Sequence, residues 1–94
     1  MAQISSFRVE YDRDQDVLYI ISRHVPAARG IEDASGIVWR YDNTGELIGA
    51  TVVDFYDRWF THQSQLAEEL SRHFAIPPSQ ARVVVEYAFE SRKN

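Results

Sequence analysis

One pattern, written twice, constrains this chain more than anything else in it. Val9 to Ile20 reads VEYDRDQDVLYI, and Trp39 to Gly49 reads WRYDNTGELIG. Both follow Tyr-Asp-x-x-x-acid-apolar-apolar, and Tyr11 and Tyr41 stand 30 positions apart. In each copy an extended run enters a polar turn and an apolar run leaves it, the signature of a β-hairpin. Asp12, Asp16 and Asp42 are the acidic turn residues, whose side chains bond nearby backbone. Asn43-Thr44-Gly45 suits a type I turn closed by a glycine at positive φ.

The flanking residues extend this reading. Phe7, Val9 and Tyr11 alternate with Arg8 and Glu10, as in a half-buried strand. Val17 to Ile21 is apolar on both faces, which predicts a central strand covered on both sides. Ser22 to Ser35 is irregular and carries Pro26 and Gly30; its tail near Ile31 is expected to pair with the sheet. Ile37, Trp39 and Tyr41 face one way, Val38 and Arg40 the other. Gly49, inside the fourth strand, marks a bulge or a close approach by a large neighbour. After Phe55 the period changes to that of a helix, with Leu66, Leu70 and Phe74 recurring every four residues beside Ala67. Asp57 or Thr61 is expected to cap its start. Ile76-Pro77-Pro78 ends it, and the same prolines open a second helix. Over residues 81–89, strand propensity in Val83-Val84-Val85 competes with this proline start; the positional signal favours helix.

The fold expected is α+β: a four-stranded antiparallel β-meander over residues 7–55, then two α-helices over 57–92 packed on one face. Ninety-four residues make one domain, 1–94. There is no cysteine, so disulfides and thiolate metal sites are excluded. A net charge of −4 argues against a nucleic-acid or anionic-membrane partner and is compatible with a basic protein partner. No apolar run reaches a membrane span, and no signal-like segment follows Met1, so the expected location is cytoplasmic.

The segments YDRDQDVLYI, GIVWRYDNTGELIG and VVDF resemble a small prokaryotic family known as domain of unknown function 2283, over about residues 7–55. The resemblance implies a fold and carries no catalytic residues. Because some members are encoded beside toxin-like genes, it also suggests an antitoxin-type role by analogy.

The chemistry-bearing motifs are few. Asp12-x-Asp14-x-Asp16 has the spacing that opens a calcium loop, but Val17 and Arg23 stand where that loop needs glycine and a bidentate glutamate. A self-capped turn is the better reading. His62 and His73 lie 11 residues apart, too far along one helix to share an ion. They read as surface helix residues, and His24 as part of a solvated basic loop. No nucleophile elbow, phosphate loop or zinc-protease motif is present. The sequence therefore predicts no catalytic residue, metal or cofactor, and no enzyme.

What remains is apolar surface. Two helices cover one sheet face. On the other, Leu18 and Ile20 or Tyr19 and Ile21 are left on water with neighbours such as Val38 and Val52. The aromatics Phe55, Tyr56, Trp59 and Phe60 crowd the sheet-to-helix junction as core fill or as a docking patch. The expected interaction surface is Leu18, Ile20, Val38, Val52, Tyr56, Trp59 and Phe60. The functional expectation is a non-catalytic protein-interaction or self-association module, a homodimer. The alternative is an antitoxin-like regulator of a small basic partner.

Overall fold

The computed structural model describes residues 2–92. In chain order the elements are β1 (Ala2–Ile4), β2 (Phe7–Asp12), β3 (Val17–Ile21), β4 (Arg29–Glu32), β5 (Ile37–Tyr41), β6 (Leu47–Val53), α1 (Phe55–Trp59), a 3-10 turn (Phe60–His62), α2 (Gln63–Phe74) and α3 (Pro78–Arg92).

The fold is α+β, but the sheet has six strands where the sequence predicts four, in the order β1-β2-β3-β6-β5-β4. All pairings are antiparallel. A meander would pair β3 with β5; here two three-stranded units lie side by side, joined through β3 and β6. Both of these strands are apolar on both faces, and pairing them places them at the sheet centre. The two added strands, β1 and β4, are short edge strands. β4 is exposed throughout, and in it Ile31 pairs with Trp39, as expected for the tail of the irregular connection.

The repeat is geometric as well as sequential. Ile20 pairs with Ala50, and these residues stand 30 positions apart, as Tyr11 and Tyr41 do. The flanking pairs Tyr19–Thr51 and Ile21–Gly49 exchange under the same shift. Arg8–Ile21, Val9–Ile20 and Glu10–Tyr19 in the first hairpin match Val38–Thr51, Trp39–Ala50 and Arg40–Gly49 in the second. The hairpins are thus related by an approximate twofold through the Ile20–Ala50 pair. The symmetry breaks where Arg40 pairs with Gly49 but Tyr41 with Leu47, leaving Ile48 as a bulge. Gly49 is required by backbone: a Cβ there would meet the Ile20 carbonyl oxygen at 3.0 Å, so the close neighbour is the backbone of β3 rather than a large side chain.

One face of the sheet forms the core with the helices. Val9, Leu18, Ile20, Ile37, Trp39, Ala50 and Val52 share a cluster with Leu66, Leu70, Ala81, Val84, Val85 and Ala88. Each large side chain buried in this way stabilises by about 1.5–3 kcal/mol. Residues 81–89 are helical, as the proline start predicts. Helix α2 ends at Ala75, a left-handed residue whose N–H donates to the Ser71 carbonyl.

Asp33, in the turn between β4 and β5, organises that corner. Its Oδ1 accepts from the Ser35 N–H, the Ser35 hydroxyl and the Ile37 N–H, and its Oδ2 from Trp39 Nε1 at 2.8 Å.

Candidate functional site: the open sheet face

Side chains alternate along each strand, so the face turned away from the helices is built from the residues between the core positions. The strand pairings arrange it in rows. One row runs Arg8, Ile21, Gly49, Arg40, Gly30, and the next Glu10, Tyr19, Thr51, Val38, Glu32. A third holds Asp12, Val17 and Val53. Val17, Tyr19, Ile21 and Val38 are half-buried, and Val53 is 42% exposed. No helix among the described residues packs over these rows. Arg40 lies across the surface, donating from Nε to Thr51 Oγ1 at 2.9 Å.

The irregular connection walls off one part of this face. Arg23, His24 and Val25 meet Tyr19, Arg40 and Thr51 around a hollow of about 390 Å³. Arg8 donates to His24 Nε2, tying the loop to the sheet. Arg23 pairs with Glu46 at 2.6 Å and lies 3.5 Å from Asp42. The Arg23–Glu46 pair is exposed and worth little in stability, whereas Asp42 is buried beneath it.

The residues expected to form an interaction surface divide sharply. Leu18, Ile20 and Val52 are in the core, with 0%, 1% and 0% exposure, and Trp59 is buried beside them. The correction has a simple physical origin. Leu18, Ile20 and Val52 have the opposite parity to Val38, so these four residues cannot share one face of the sheet. Val38 alone of the four lies on the open face. The signal that identifies its neighbours is that parity, which selects Val17, Tyr19, Ile21, Thr51 and Val53. At the junction, Phe55 and Trp59 fill the core. Phe60 is 47% exposed and stacks on half-buried Tyr56 with centroids 4.7 Å apart.

The turn residues act locally, with one exception. Asp12 Oδ1 accepts from the Gln15 N–H at 3.2 Å. Asp42 Oδ1 accepts from the N–H and hydroxyl of Thr44 and from the Glu46 N–H, and Gly45 sits at φ 87°. The Thr44 hydroxyl, foremost, together with the Glu46 amide holds the Asp42 carboxyl below its ordinary pKa, outweighing desolvation. Asp16 reaches further. It accepts from Tyr11 Oη at 2.6 Å and from the N–H groups of Tyr56 and Asp57, capping α1 from 40 positions away. Asp54, at the N-cap position, makes no side-chain cap, and neither Asp57 nor Thr61 caps α2, whose N-cap is His62 without a side-chain bond. Burial pushes the Asp16 carboxyl up, but its hydrogen bonds and nearby Arg92 outweigh that and hold it below 3.8. The same burial and the Asp16 charge push Tyr11 up to about 12.

Residues 8–55 match the model of a protein family described as Protein of unknown function (DUF2283). No curated protein and no solved structure matches the chain. No helix among the described residues is long and apolar enough to cross a membrane.

Proposed function

The chain belongs to the DUF2283 family, and on that premise we propose that it is a non-catalytic self-association module whose open sheet face packs on the same face of a second copy. The supporting observation is the row Tyr19, Thr51, Val38 beside Ile21 and Val17: a largely apolar centre spanning β3, β6 and β5 with no described helix over it. Twofold pairing of one patch is the commonest way to bury such a surface. Its charges favour this occupant. Arg8 and Glu10 project from the same face of β2, two residues apart. An axis crossing the strands between their rows sets Arg8 of each copy against Glu10 of the other and brings Arg40 near Glu32. The non-catalytic reading draws support from Asp16, Asp33 and Asp42, whose carboxylates are engaged by backbone N–H groups. A basic partner, as in the antitoxin-type alternative, would meet Arg8 and Arg40 interleaved with Glu10 and Glu32, a mixed pattern that suits a second copy better.

Light scattering on a sizing column tests the pairing. The expected mass is twice the 10.9 kDa of one chain at micromolar concentration. Glu10→Arg alone should shift the protein to monomer, and Arg8→Glu with Glu10→Arg should restore the dimer. A wild type that stays at 10.9 kDa as concentration rises overturns the proposal.

A further inference from the structure

A second cluster lies on the opposite side of the molecule, where the β4–β5 turn meets α2. One oxygen of Asp33, one oxygen of Glu69 and one ring nitrogen of His73 lie within 4.8 Å of one another. The three come from two parts of the chain: Asp33 from the turn, Glu69 and His73 one helical turn apart on a single face of α2.

Each side chain is held. The Asp33 bonds to Ser35, Ile37 and Trp39 fix its carboxylate and leave acceptor capacity on Oδ2, which takes only the indole N–H. The His73 ring stacks on the Trp39 indole with centroids 3.7 Å apart and planes 8° from parallel. Its Nδ1 lies 3.0 Å from the Glu69 carbonyl oxygen and 4.0 Å from Glu69 Oε1. Arg72 bonds Glu69 Oε2, so Oε1 remains free to turn inward. Trp39 thus supports both Asp33 and His73, in the way that outer partners orient metal ligands. The His73 and Glu69 side chains are 26% and 22% exposed, which leaves an ion a route in from water.

We propose that Asp33, Glu69 and His73 bind a divalent transition-metal cation, Zn²⁺ before others, and that the ion clamps the β4–β5 turn to α2. The donor set selects the class. Ca²⁺ and Mg²⁺ prefer oxygen-only shells with more ligands. Two carboxylates and an imidazole suit zinc and its neighbours, with water completing the shell. Ligand atoms around four-coordinate zinc stand roughly 3.4 Å apart, so the cluster must contract by up to about 1.4 Å, within reach of a Glu69 rotamer change. The arrangement is independent of the open sheet face.

The test is thermal unfolding and calorimetric titration of the full, untagged chain with Zn²⁺, with Mg²⁺ as control. Ten-fold excess over the dissociation constant should raise the wild-type Tm by about 5 °C or more. Mg²⁺ should leave it unchanged. His73→Phe keeps a ring on Trp39 but removes the ligand, and Glu69→Gln keeps the side-chain shape. Both should fold and lose the zinc response, and bound Co²⁺ should lose its visible spectrum in each. Wild type with no calorimetric binding, or a zinc shift retained in both variants, overturns the site.

Discussion

The carboxylate of Asp16 accepts the backbone N–H of Tyr56 at 2.9 Å, so the turn of the first hairpin caps the helix that follows the last strand. The carbonyl of Asp16 also accepts the Phe55 N–H at 2.9 Å. A residue that serves one local turn by sequence therefore joins the first hairpin to the sheet-to-helix junction.

Asp16→Ala should destabilise the protein by about 1–2 kcal/mol, since it removes a cap and orphans the Tyr11 hydroxyl. Asp54→Asn, at the nominal N-cap and suited to its left-handed φ of 53°, should change stability by less than about 0.5 kcal/mol. Urea unfolding of both variants checks this, and equal losses would show that the cap has been misassigned.

Asp16 and Tyr11 should also shape the pH dependence of stability from opposite ends. The folded pKa of Asp16 is lowered from 3.8, so the unfolded chain binds its proton first as pH falls. Its contribution is present above the unfolded value and is lost as pH drops through the folded one. Tyr11 is raised from 10.0 to about 12, so its contribution is present below pH 10.0 and is lost as pH climbs toward 12. Tm measured against pH should show a shallower acid limb in Asp16→Asn and a shallower alkaline limb in Tyr11→Phe.

Gly45→Val should cost about 1–3 kcal/mol. A β-branched residue resists φ 87°, even though no atom lies within 4 Å of the place its Cβ would take. Gln15→Gly, at the matching position of the first hairpin, should cost less, since the left-handed residue there is Asp16 at φ 56°. Thermal melts of the two variants rank them directly.

Leu18→Ala should lose about 2–5 kcal/mol, the range for a truncated core leucine. Tyr19→Ala, next to it on the same strand, should cost less in folding and instead weaken self-association. Denaturant midpoints and light scattering on the same two variants separate the core role from the surface role; matching stability losses would contradict the assignment of faces.

The hairpins, the helical switch after Phe55 and the proline start of α3 were legible because each rests on contacts between near neighbours. Alternation reports one face of one strand, a 3.6-residue period reports one helical stripe, and proline acts on its own backbone. The 30-residue repeat was legible for the same reason, though not the twofold arrangement it produces. Strand order was not, because β6 pairs with β3 and not only with β5, and that choice is made by how two doubly apolar strands are buried together. The same limit explains Leu18 and Val38. Each strand's parity is local, but which parity faces the helices is decided only when α2 and α3 settle on the sheet. His73 reads as a surface residue from helix spacing alone; the fold lays its ring on Trp39 and brings Asp33 beside it from 40 positions away. Local chemistry thus lies in the sequence of this protein, whereas the neighbours that give Asp16, Asp33 and His73 their roles exist only once the sheet and helices have packed.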